Sequence, residues 1–345
     1  MQDAFTVEAR EDCPGSGYRG GMSNVETEPA ELACGTGPCG PGEAEVLEAR
    51  SVPLGGPRAM PVRRTLPQRK RSLIGAWCFA DHYGPVDPAV HGGMSVGPHP
   101  HTGLQTVSWL FDGEIEHRDS LGSHAMVRPG ELNLMTGGHG ICHEEVSTPQ
   151  TTTLHGVQLW VALPEEHRDA ARDFQHYAPP VTTMPGATAR VFLGTLAGET
   201  SPVRTYTPLL GAELTLEPDA ELTLDVDPGF EHGLLADLGE ITFAGTTLSR
   251  TRLGYLGTGR SRLTIANPGP EPARALLLGG PPFGEEILMW WNFLARSHEE
   301  IVAFRADWEA GSDRFGAVAA HPGGPARLPA PTLPAVRIKP RGNPA

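Results

Sequence analysis

His99-Pro100-His101-Thr102-Gly103-Leu104-Gln105-Thr106-Val107-Ser108-Trp109-Leu110-Phe111-Asp112-Gly113 decides how this chain is read. It opens with two histidines one residue apart and continues through a run dense in β-formers. It closes on Asp-Gly, a strong hairpin signal. In a strand, residues i and i+2 project from one face, so two imidazoles at this spacing can converge on one ion. Pro100 fixes its own φ and biases His99 toward extended backbone. It also removes a backbone donor, which fits the start or edge of a strand.

Outward from this stretch the pattern stays β. Glu114-Ile115-Glu116-His117-Arg118 reads as the strand returning from the Asp112-Gly113 turn. Met126-Val127 leads to a turn at Pro129-Gly130, and Glu131 to Met135 alternates again. Gly137, Gly138 and Gly140 mark a corner, and Gly156 to Leu163 is a further strand. Short strands between Gly/Pro turns predict a sandwich or barrel. A second series, Ala212–Leu224, Ile241–Phe243, Ser261–Ala266 and Ala273–Leu278, predicts another β-domain in tandem. One helix follows. Ser297 and Glu300 form a capping box, Ile301, Phe304 and Trp308 an apolar stripe, and Gly311 a stop.

The flanks differ. Residues 1–42 are rich in Gly, Pro and Glu and are expected to be a disordered arm, within which Met22 is a plausible second start. Seven prolines fall in residues 321–345, so the region 316–345 is expected to be an extended or disordered tail. That leaves 43–180 and 181–315 as the two expected domains.

With 345 residues, 39% hydrophobic and 20% charged, the chain reads as globular, and its length fits about two domains. A net charge of −14 argues against direct nucleic-acid binding. The basic run Arg63, Arg64, Arg69, Lys70 and Arg71 is read as a solvated loop. No apolar run approaches the roughly 20 residues that span a bilayer, and the first residues do not form a secretory signal. Five thinly spread cysteines do not make a disulfide framework. The expectation is a cytoplasmic protein, monomeric, with no membrane partner.

His143-Glu144-Glu145 repeats the two-residue logic. His143 and Glu145 share a face, and Glu144 points to the other. The two motifs lie 42 residues apart (143 − 101), with hairpins between, compatible with neighbouring strands of one barrel. Three imidazoles and a carboxylate suit iron(II), the first expectation here, and equally nickel(II), copper(II), manganese(II) or zinc(II) by donor type. On an octahedral ion, four protein ligands leave two open positions. His139 and His124 stand as competing ligands.

These stretches resemble the pirin family of the cupin superfamily. The likeness is carried by His99 to Thr106, Gly113 to Gly122, Arg128 to Leu132, Met135 to Glu145, His155 to Val161 and, upstream, Asp81-His82-Tyr83-Gly84-Pro85. It is dense over about residues 70–165 and weaker to about 315. The resemblance implies an all-β fold: two tandem cupin (jelly-roll-like) β-barrels with a short C-terminal helix. It implies metal in the N-terminal barrel, on His99, His101, His143 and Glu145, and a metal-free C-terminal barrel, where His232 stands without a His-x-His. Many cupins carry a glutamate four residues after the second histidine. Here that position is Gln105, a poorer ligand, so Glu145 supplies the carboxylate. His139 stands where similar proteins often have arginine.

Two functions follow from the resemblance. One is a metal-dependent dioxygenase of quercetin (flavonol) type, with Glu145 as general base. In it, Trp109, Leu132, Leu134 and Met135 are candidate walls for a flat aromatic substrate, although core packing accounts for at least half of them. The other is a non-enzymatic, iron-dependent redox sensor that binds a transcription factor or metabolic enzyme. Arg118 and Asp119 are read as a structural ion pair near the barrel mouth.

Overall fold

The computed structural model describes residues 42–54, 60–91, 93–319, 321, 324 and 326–343. The expected N-terminal arm, apart from Gly42, and Met22 within it lie outside these residues.

The fold is all-β, two barrels and one C-terminal helix, and each barrel is a seven-stranded sheet closed by a four-stranded one. In the first, the large sheet runs Asp173–Tyr177, Leu132–Thr136, Leu104–Asp112, Leu154–Ala162, Trp77–Val86, Met60–Leu66, Arg50–Leu54. The small sheet runs Ser95–His101, Ile141–Ser147, Ile115–Asp119, His124–Val127. The second barrel repeats the plan around Glu231–Leu238 and Ala273–Gly280.

The two large sheets face each other across a shared apolar core containing Trp77, Trp109, Leu159, Phe192, Leu235 and Leu276. This explains why Leu154–Ala162 is buried along its whole length. Val157, Leu159 and Val161 face the second barrel, while Gln158 and Trp160 face the inside of the first. A strand covered on both faces reads as a near-continuous apolar run. Trp77 also gives the interface a direction, because its indole N–H lies 3.2 Å from both the Leu210 and Gly279 carbonyls.

Four expectations need correction. Asp112-Gly113 is not a hairpin. Leu104–Asp112 belongs to the large sheet and Ile115–Asp119 to the small one, so the turn carries the chain across the barrel. Gly113 has φ +89° there, and a Cβ would lie 2.4 Å from the Thr153 carbonyl oxygen. Among the described residues, only Ile115–Asp119 and His124–Val127 form a hairpin between the two histidine motifs. A turn signal specifies a tight reversal, not the sheet in which the next strand finds its partner.

The domain limits are also crossed at both ends. Glu45–Leu47 pairs with Leu253–Leu256 and so completes the second barrel's sheet. After Gly280 the chain returns to the first barrel. Trp290, Phe293, Ile301 and Trp308 share a core with Met60, Met94 and Val127. The tail is extended, as its prolines require, but it is docked. Leu328 and Ala330 are buried, the Leu328 N–H donates to the Pro98 carbonyl at 2.9 Å, and Trp308 Nε1 donates to the Leu328 carbonyl at 2.8 Å. The basic run is not one solvated loop either. Arg63 and Arg64 lie in the strand Met60–Leu66, and Arg64 is buried against Asp81 through two 2.7 Å bonds. Only Arg69 and Lys70 of the remaining three are exposed, because Arg71 lies 3.6 Å over the Tyr255 ring.

The helix runs His298–Glu309, and the Ser297 hydroxyl accepts from the Glu300 N–H at 3.3 Å. The Glu300 carboxylate returns to the N–H of Arg296 at 2.8 Å, one residue before the cap, and pairs with Arg168 at 2.6 Å. Ile301 and Trp308 are buried and Phe304 is half-buried. Gly311 ends the element at φ +65°.

Candidate metal centre

Ser95–His101 and Ile141–Ser147 are hydrogen-bonded neighbours, with His143 opposite His99 and Ile141 opposite His101. That register gathers three imidazoles from two motifs. Ring centroids are 5.0 Å apart for His99–His101, 4.3 Å for His99–His143 and 4.9 Å for His101–His143. His101 Nε2 and His143 Nε2 lie 3.0 Å apart.

Two of the rings are oriented from behind by backbone. His99 Nδ1 lies 2.9 Å from the Gly97 carbonyl and His101 Nδ1 3.2 Å from that of Asn292. A carbonyl only accepts, so each Nδ1 carries the proton and each Nε2 keeps its lone pair. Lone pairs brought together in a dry space are the donor arrangement that a cation satisfies.

Glu145 joins the same cavity. Pairing with Ser95–His101 is interrupted between His143 and Glu145 but stays regular against Ile115–Asp119. Alternation therefore holds, and Glu144 faces the other way, where its carboxylate accepts the His321 N–H at 2.7 Å. The Ser108 hydroxyl donates to Glu145 Oε1 at 3.0 Å. The remaining walls are Leu54, Phe79, Met94, Val96, Gln158 and Trp160.

Burial sets the electrostatics. It lowers His99 to about 4 and holds His101 and His143 well below the ordinary imidazole value, with the neighbouring histidines adding to the effect. At neutral pH all three rings are neutral donors. Burial raises Glu145 above the usual carboxylate value, against the opposing influence of His117 and Ser108. A desolvated carboxylate beside three neutral imidazoles gains most from a dication, which restores the charge interaction that burial removed.

Behind His101 stands a column of aromatic and cationic groups. Trp160 meets His101 edge-on at 5.2 Å, Phe79 stacks on Trp160 at 4.0 Å, and the Arg64 guanidinium lies 4.3 Å over Phe79. The Arg64–Asp81 ion pair anchors the far end.

The competing ligands stand elsewhere. His124 is exposed and pairs with Glu116 at 2.6 Å. His139 is half-buried and does not line the cavity. Gln105 turns its amide to the Thr136 hydroxyl at 3.0 Å. The expected apolar walls are corrected too. Trp109, Leu132 and Leu134 face the second barrel, and Met135 does not line the cavity. On Leu104–Asp112 it is the alternate residue, Ser108, that looks inward. Arg118 and Asp119 are not paired. Neighbours in a strand point to opposite faces, so Arg118 bonds Glu116 at 2.7 Å and Asp119 meets His117 at 3.2 Å.

The two-residue rule that points to Glu145 also puts His117 and Asp119 on one face, with no His-x-His motif to mark them. A second cluster carries no local signal. His82 and His155 of the first barrel each lie 2.6 Å from Oδ1 of Asp237 in the second, and Arg274 lies 2.6 Å from Oδ2. Burial opposes the Asp237 charge, but bonds from His155, His82 and Arg274 outweigh it and hold the carboxyl below its usual range. In the second barrel His232 is buried. No group of three candidate ligands among the described residues includes it.

The chain matches the pirin domain over residues 59–161 and the pirin C-terminal cupin domain over residues 211–316. It belongs to the pirin family. A Pseudomonas aeruginosa protein named provisionally as a quercetin 2,3-dioxygenase is 48% identical over 290 residues, spanning 84% of this chain and 90% of that one. The crystal structure of a quercetin 2,3-dioxygenase from Acinetobacter baumannii aligns with TM-score 0.81 and 39% identity, over 88% of this chain and 98% of that one. A bacterial pirin of Escherichia coli, solved in complex with nickel(II), shares the fold at TM-score 0.55 and 19% identity, over 69% of this chain and 99% of that one. The His/Glu cluster able to hold a metal lies in the first barrel. No helix among the described residues is long and apolar enough to cross a membrane.

Proposed function

We propose that His99, His101, His143 and Glu145 hold one divalent ion and that the loaded protein is a cytoplasmic dioxygenase of the quercetin type. The observation that carries this reading is the convergence of three neutral, buried imidazoles and one buried carboxylate on a single cavity. The names of the Pseudomonas and Acinetobacter relatives support the substrate class. Iron(II) comes first. Nickel(II), copper(II), manganese(II) and zinc(II) fit the same donors.

A bound ion would supply Lewis acidity at the flavonol hydroxyl and a route for its electrons to O₂. The chain's own residues do the rest. Glu145 takes the hydroxyl proton, and the Ser108 hydroxyl, bonded to Oε1, orients the carboxylate. Phe79 and Trp160 line the cavity as apolar walls. Leu54, Met94 and Val96 keep water from the site.

One observation favours the second reading, an iron-dependent sensor acting through a protein partner. The cavity has room for about one water-sized group and not for a flavonol, so the substrate enters only if a wall moves. The deciding experiment loads the purified protein with each metal in turn and follows loss of quercetin's visible absorption in air. Turnover with at least one metal, abolished in His101→Ala, is expected. An ion bound with no turnover under any metal contradicts the enzyme and leaves the sensor, which a partner copurified from native cells would support.

A further inference from the structure

We propose that His117 and Asp119 are positioning residues for His143: they hold its ring so that Nε2, stripped of its proton, faces the ion. The inference rests on the ligand reading above. Both residues are buried on the strand Ile115–Asp119, His117 opposite Glu145 and Asp119 opposite His143. They form a chain of two contacts behind His143. His143 Nδ1 lies 3.4 Å from His117 Nδ1, and His117 Nε2 lies 3.2 Å from Asp119 Oδ2. Asp119 Oδ1 is itself fixed by the N–H groups of Leu121 and Ser123 at 2.9 and 3.0 Å. Phe174 packs on the His117 ring with centroids 4.9 Å apart.

Donor and acceptor rules give the chain one direction. An ionised carboxylate only accepts, so His117 Nε2 carries a proton. The Nδ1–Nδ1 contact holds a single proton, which in this arrangement His143 Nδ1 donates and His117 Nδ1 accepts. His143 Nε2 is left bare on the side of His99 and His101. Those two rings lean on single carbonyls, whereas His143 leans on a carboxylate through a second imidazole. A carboxylate behind a ligating histidine fixes its tautomer and strengthens it as a donor. His117, His143 and Glu145 also lie within ligand distance of one another, which makes His117 a rival ligand. Against that, His117 meets the Nδ1 edge of His143, the edge turned away from the other imidazoles.

The test uses the full chain and nickel(II), with affinity measured by competition against a chromophoric chelator. Loss of a residue behind a metal ligand typically weakens binding about 10–100-fold. His117→Phe is expected to show that loss, and Asp119→Asn a smaller one in the same direction. His117→Gln, whose amide accepts from His143 and donates to Asp119, should recover most of it. In the zinc(II)-loaded wild type, ¹⁵N spectra should show His143 protonated at Nδ1 and bound at Nε2, with His117 unbound. Unchanged nickel affinity in a folded His117→Phe overturns the proposal, and so does a metal-bound His117 nitrogen. If His117→Phe does not fold, the wild-type spectrum decides. His101→Ala separates the two readings: if the wild type binds no ion, or binds one that His101→Ala retains, the ligand set itself falls.

Discussion

Glu144 and Glu145 are the same side chain one peptide apart, and strand alternation sends them to opposite sides of one wall. This is why the cavity's residues were legible: period-two geometry is local, and it selected His99, His101, His143 and Glu145 without knowledge of the barrel. The same rule, applied to His117 and Asp119, would have exposed the pair behind His143. The aromatic walls were not legible, because Trp109 and Trp160 are equally apolar and only the second barrel shows which of them looks outward. Burial at this scale has a pH signature. In the unfolded chain these imidazoles titrate near 6.5, whereas His99 in the fold titrates near 4. Between those values the unfolded state binds more protons, so folding stability is fully present above pH 6.5 and is lost as pH falls toward 4. Glu145, raised by burial, acts in the opposite sense and costs stability as pH rises past its ordinary value of 4.5. Three imidazoles outweigh one carboxylate. Urea midpoints of chelator-treated protein should therefore fall between pH 7.5 and pH 5.5. Equal midpoints would contradict this account of the buried rings.

Elements were legible where their signals are local. Ser297 caps its helix as its spacing with Glu300 predicts, and Ser297→Ala should cost about 1 kcal/mol in denaturant unfolding. Gly113 is the more telling case. Its turn is present, but it joins two sheets, and nothing in Asp-Gly distinguishes that from a hairpin. Gly113→Ala must place a side chain at φ +89° and against the Thr153 carbonyl. The left-handed backbone alone costs about 1–2 kcal/mol, and the clash adds to it. A loss below that in thermal unfolding would mean that the crossover is looser than described. The tail shows the converse limit. Proline density fits the extended backbone of the described tail residues, but it says nothing about burial, and Leu328 finds a place against Pro98.

At the scale of the whole molecule, the two-barrel plan follows from two runs of short strands, but the joining of the barrels does not. Glu45–Leu47 crosses to the second sheet, and the segment after Gly280 returns to the first. His82 and Asp237 meet across 155 residues, a separation at which no local pattern speaks. The exchanged ends and the shared core couple the barrels energetically. Trp77→Ala removes a fully buried indole bonded to two carbonyls of the second barrel, and about 3–5 kcal/mol should be lost. Calorimetry should still show one unfolding transition for both barrels; two separated transitions would mean that the interface is weaker than its packing implies. The central claim, one ion on His99, His101, His143 and Glu145, is tested most directly by metal content per chain in the wild type, Glu145→Ala and Glu144→Ala after loading with iron(II) under anaerobic conditions and desalting. The expected result is about one ion in the wild type and in Glu144→Ala, and strong depletion in Glu145→Ala. Equal content in all three, or none in the wild type, would contradict it.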